Sequence, residues 1–90
     1  VDFIWDPAKA TINVRKHGVT FSEASTVFYD PLAIYLDDAR HHDRAIIIGQ
    51  CARGRLLFTV FVDVDLENEI VRIISARRAT KPERRKYEQR

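Results

Sequence analysis

The chain has 90 residues, 46% hydrophobic and 31% charged, with a formal net charge of +2 and one cysteine. This is one domain with one modest core, and the composition excludes both a disordered chain and an internal disulfide. The longest apolar stretch, residues 56–62, is broken by Thr59 and too short to span a bilayer; with no secretion signal at the start, cytoplasm without a membrane partner is expected.

Residues 2–5 read as a short strand. Asp6-Pro7 starts a helix, with Asp as N-cap and Pro at the first helical position, and Gly18 stops it after His17. Thr20 and Glu23 form a capping box for a second helix, whose core stripe is Phe21, Ala24 and Phe28 and whose end is Asp30-Pro31. Four strands are predicted next. Residues 32–36 alternate, with Leu32, Ile34 and Leu36 on one face. Residues 44–51 and 55–62 are joined by Ala52-Arg53-Gly54, a hairpin turn. An acidic loop over 63–69 leads to a last strand over 69–77. Thr80 and Glu83 then form a second capping box for a C-terminal helix. The order β-α-α-β-β-β-β-α, with short loops between strands, predicts an α+β fold: an antiparallel meander with the helices on one face.

Charge is segregated along this order. Residues 72–90 carry eight Lys/Arg against two Glu, a balance of +6, so the first 71 residues balance at −4. Such asymmetry points to a polyanion, RNA or DNA, or to an acidic partner protein. Arg72 is the sharpest position. Alternation groups it with Ile70, Ile74 and Ala76, and an arginine on an apolar face must reach solvent, pair with a carboxylate or point into a cleft. Arg77 and Arg78 leave the strand on opposite faces. Arg84, Arg85, Lys86 and Arg90 read as a solvated helix face or a docking surface. Tyr87 either packs on the sheet or stacks on a base. Lys16 and His17 end the first helix, where cations are favoured; His17 is also a candidate acid or base. Arg53 and Arg55 flank a turn able to grip phosphates. His41-His42-Asp43 lacks further ligands at metal spacing, and the acidic run lacks the glycine and spacing of a calcium loop, so no metal or other cofactor is expected.

Two blocks carry a resemblance. The first is Trp5-Asp6-Pro7-x-Lys9-Ala10-x-x-Asn13-x-x-Lys16-His17-Gly18-Val19-x-Phe21-x-x-Ala24, followed by Asp30-Pro31. The second is Arg72-Ile73-Ile74-Ser75-Ala76-Arg77 with Glu83-Arg84 and Tyr87-Glu88. Ile48-Gly49 and Gly54-Arg55-Leu56-Leu57 lie between them. The sequence resembles the BrnT family of bacterial type II toxins over nearly its whole length. The resemblance implies a RelE-like fold and a ribonuclease that blocks translation. It also implies a BrnA-like antitoxin with a DNA-binding domain, a 2:2 complex, and DNA contact only through that antitoxin. Many members carry a basic residue in the hairpin before the last strand, where this chain is acidic.

The expected function is metal-independent RNA cleavage, with the substrate 2′-hydroxyl as nucleophile. Arg72 and Arg77 would stabilise the phosphate and His17 would move protons. Lys16, Arg53, Arg55, Arg78, Arg84 and Tyr87 would bind RNA. A non-catalytic module that docks RNA or an acidic protein is the alternative reading.

Overall fold

A computed structural model describes residues 1–89. Five strands form one sheet in the order β1-β5-β4-β3-β2: β1 (Asp2–Ile4), β2 (Ile34–Asp37), β3 (Ala45–Gln50), β4 (Leu56–Asp65) and β5 (Ile70–Arg78). Helix α1 (Pro7–His17) joins β1 to α2 (Phe21–Ser25), which tightens into a 3-10 turn over Thr26–Tyr29. Helix α3 (Lys81–Glu88) closes the described chain. Arg90, grouped above with the basic helix face, lies outside the described residues.

The α+β class and the element order are as expected. Four strands form the meander, while β1 pairs parallel with β5, so the sheet is mixed. The parallel pair follows from α1, which carries the chain from the end of β1 back across the sheet. The 63–69 segment is not all loop. Strand β4 runs on to Asp65, whose carboxylate accepts from the Asn68 backbone and side-chain amides at 3.1 and 2.7 Å and closes a short turn.

The helices do not share one face. Side chains of Val71, Ile73, Ala76, Phe61, Leu57 and Ile47 meet Val19, Phe21, Ala24 and Val27 beneath α1 and α2. Alternation leaves Ile48 and Leu56 on the opposite face, where α3 seals them with Tyr87. A helix opening two residues after β5 folds back over that face, because Tyr87 is its one buried side chain.

Caps set the helix ends. Asp6 accepts from the Ala8 amide at 2.8 Å, and Gly18 ends α1 in the left-handed region at φ 66°. Thr80 and Glu83 complete a reciprocal box at the start of α3. At α2 only half the box forms. Thr20 accepts from the Glu23 amide, but the Glu23 carboxylate is turned toward the β3–β4 hairpin.

Candidate functional site

Strand β5 positions the central arginine through an irregularity. Ser75 stands opposite Val60 and Ile73 opposite Phe61, so Ile74 is an extra residue, a β-bulge. The bulge puts Arg72, Ser75 and Arg77 on one face, beside Val62, Val60 and Phe58. It puts Val71, Ile73 and Ala76 on the other, under α1. Regular alternation had placed Arg72 with Ala76, and the inserted residue reverses that phase.

The Arg72 side chain is exposed and makes no hydrogen bond or ion pair among the described residues. It is not paired with a carboxylate; it reaches solvent at the mouth of a cleft. Arg72 lines a cleft of about 450 Å³ together with Trp5, Asp6, Lys9, Asp43, Arg44, Val62 and Val64. Lys9 comes from the first turn of α1, which the Asp6 cap fixes. Trp5 is held edge-on against Phe21, with centroids 6.0 Å apart. Arg44 enters from the residue before β3. Cations from a helix, a loop and a strand therefore line one cleft beside Val62 and Val64. Sequence reasoning passed over Lys9 and Arg44. Lys9 lay within the Trp5–Lys9 block that carried the resemblance, whereas Arg44 gave no signal beyond opening an apolar run.

Arg77 is engaged elsewhere. Its guanidinium forks onto Glu83, with Nη1–Oε1 at 2.8 Å and Nη2–Oε2 at 2.9 Å, and lies 4.1 Å from the centre of the Phe58 ring. The Arg77 hydrogen bonds hold the Glu83 carboxyl below the ordinary range, against the opposing effect of burial. This fork ties β5 to the first turn of α3 and is not open to a phosphate.

A second basic group gathers at the opposite end of β5. Arg55 Nη2 donates to the Gly18 carbonyl at 3.1 Å, which brings the β3–β4 turn to the end of α1. Lys16, His17, Arg53 and Arg78 are exposed there. Arg55 itself is tied down, donating through Nε to Glu23 Oε2 at 2.8 Å and through Nη2 to Oε1. The Cys51 thiol donates to the same carboxylate at 3.0 Å. The Arg55 bonds hold the Glu23 carboxyl below its ordinary range although burial opposes this.

His17 is eight residues beyond Lys9 along α1, about 12 Å at the helical rise. The expected trio of Arg72, Arg77 and His17 is thus not brought together. Arg84 is exposed on α3. Tyr87 takes the packing alternative: it is 8% exposed against Ile48 and Leu56, and its hydroxyl donates to Asp30 at 2.7 Å, which leaves no ring face for a base. Among the described residues no three His, Cys, Asp or Glu side chains group as ligands of one ion.

The sequence matches, over residues 5–83, the family described as the ribonuclease toxin BrnT of a type II toxin–antitoxin system. That span includes Lys9, Arg44 and Arg72. In three dimensions the chain is similar to the 1.1 Å crystal structure of the Brucella abortus ribonuclease toxin BrnT. The TM-score is 0.71 at 25% identity, covering 90% of this chain and 100% of that one. No curated protein matches the sequence.

Proposed function

The chain belongs to the BrnT family, ribonuclease toxins of type II toxin–antitoxin systems, and from that premise we propose that it cuts RNA internally without a metal and so halts translation. The observation that carries the reading is Arg72, exposed and unpaired in a cleft shared with Lys9 and Arg44. The substrate 2′-hydroxyl attacks the adjacent phosphorus, and the bond to the 5′-oxygen breaks. The products are a 2′,3′-cyclic phosphate and a 5′-hydroxyl. Negative charge builds on the non-bridging oxygens, and a guanidinium, always charged and forked, suits that charge. Lys9 and Arg44 hold the flanking phosphates. The 2′-hydroxyl proton goes to Asp43, a carboxylate on the cleft wall with no bond among the described residues. Solvent water supplies the proton to the departing 5′-oxygen.

Lys16, His17, Arg53, Arg78 and Arg84 serve as grips on the rest of the strand. The family implies an antitoxin partner. We assign it as BrnA-like, with its own DNA-binding domain, in a 2:2 complex in the cytoplasm. No helix among the described residues is long and apolar enough to cross a membrane.

The test incubates the antitoxin-free protein with total RNA in EDTA. Fragments ending in 2′,3′-cyclic phosphate or 3′-phosphate are expected. Loss of cleavage on chelation, restored by divalent ions, would overturn the metal-independent route. Inactivity on both free and ribosome-bound RNA would favour the non-catalytic binding module.

A further inference from the structure

Five aromatic rings run in contact across the α1/α2 face of the sheet. Tyr29 meets Phe3 at 6.4 Å between centroids, Phe3 meets Phe28 at 5.0 Å, Phe28 meets Phe61 at 5.0 Å, and Phe61 meets Tyr35 at 6.3 Å. The two ends are uncovered: Tyr29 is 67% exposed and Tyr35 is 59% exposed. Of the three rings between them, Phe3 and Phe28 are half-buried and Phe61 is buried. Two exposed tyrosines joined through one packed ring cluster present aromatic contact area at both ends of this strip on the α1/α2 face, and aromatic side chains of this kind are favoured as anchors at interfaces.

Its electrostatic surroundings differ from those of the Arg72 cleft. Three cross-strand rows underlie the strip: Asp37-Ala45-Phe61-Ile73, Tyr35-Ile47-Thr59-Ala76, and Asp63-Val71-Phe3. None of these positions is Lys or Arg. Asp37 and Asp63 are exposed, and their carboxylates make no hydrogen bond or ion pair among the described residues. Two free carboxylates repel RNA phosphate and attract guanidinium or ammonium groups. Tyrosine faces add a cation–π site for the same cations.

We propose that this acidic aromatic strip is the docking surface for an arginine- or lysine-bearing apolar segment of the cognate antitoxin. The identity of the partner rests on the family assignment. The surface rests on the rings and carboxylates alone. The strip lies across the sheet from the face that carries Arg72 and α3, so this contact is separate from the basic surface that the charge pattern of the sequence offers to an acidic segment.

The test uses the chain expressed together with its antitoxin, and the antitoxin-free chain reconstituted with it. Two variants are compared: Tyr29→Ala with Tyr35→Ala, and Asp37→Lys with Asp63→Lys. Each should weaken antitoxin binding by roughly thirtyfold or more, the scale of losing a hot spot. RNA cleavage and melting temperature should stay at the wild-type level. A third variant, reversed in charge at Arg84, Arg85 and Lys86, should keep its antitoxin affinity. Unchanged affinity in both strip variants overturns the proposal. So does loss of cleavage with antitoxin binding intact, which would make the strip an RNA surface. Conversion of a toxin dimer to monomer with antitoxin binding intact also overturns it, since the strip would then join two copies of the chain. A wild-type chain that cleaves nothing defeats the ribonuclease reading but leaves the affinity comparison standing.

Discussion

Arg72 and Arg77 lie five residues apart on one strand face, yet their surroundings assign them different work. Arg72 is exposed and unpaired, so Arg72→Ala should leave the melting temperature unchanged. Activity should fall by about 10²–10³, the scale of removing one preorganised charge from a transition state. Arg77→Ala opens the fork on Glu83 and should lower the melting temperature, with activity following the folded fraction. Rates and melts measured side by side separate the two roles. Glu23 and Glu83 bring in pH. Both carboxyls are held below the ordinary value of 4.5, chiefly by hydrogen bonds from Arg55 and Arg77. A folded pKa below the unfolded one contributes stability that is complete above the unfolded value. That contribution is lost as pH falls through the folded value. The melting temperature should therefore drop as the solution is acidified below about pH 4.5, and the drop should be shallower when Glu23 and Glu83 are both changed to Gln. An equally steep acid limb in that double variant would show that other groups govern it.

At the scale of elements, Asn13 is the joint between α1 and the sheet. It is 5% exposed, its Nδ2 donates to the Ala76 and Val19 carbonyls at 2.8 and 2.9 Å, and its Oδ1 accepts from the Ala76 amide at 3.1 Å. The amide thus pairs with β5 as a neighbouring strand would, where β1 has already ended, and covers an otherwise open strand edge. Asn13→Ala strands these buried backbone groups and should cost about 3 kcal/mol in denaturant melts. Asn13→Asp keeps the acceptor but sets a carboxylate against two carbonyls, so it should not rescue the loss. None of this shows in the sequence, since a lone asparagine in a helix carries no mark of its distant partner. Helical caps were far more legible: Asp6-Pro7 and Gly18 bound α1 at the residues expected, because a cap is a bond within a few residues of sequence.

For the whole molecule, charge segregation sets the response to salt. The exposed cations Lys16, Arg53, Arg78 and Arg84 stand apart from the acidic aromatic strip. RNA affinity should fall steeply with ionic strength, by about 0.7 in logarithmic slope for each phosphate contact on a single strand. Reversing Arg84, Arg85 and Lys86 together should flatten that slope by about 2 if all three make such contacts. An unchanged slope in binding measurements across a salt series would remove α3 from the RNA surface.

Local chemistry alone determined the element order, the helix bounds at their caps, the hairpin turn at Gly54 and the basic character of the C-terminal segment. The motif blocks carried the family. Tertiary structure decided which cations stand free. Arg55 and Arg77 looked as available as Arg72 in one dimension. Their acids, Glu23 and Glu83, reach them only after the hairpin folds onto α2 and α3 folds back from the end of β5. Tyr87 was settled in the same way, by Ile48, Leu56 and Asp30. The bulge at Ile74 was equally hidden, since one extra residue reverses the phase of a strand without altering its composition. Lys9, Arg44 and Arg72 come from a helix, a loop and a strand distant in sequence, and only the folded sheet brings them to one cleft.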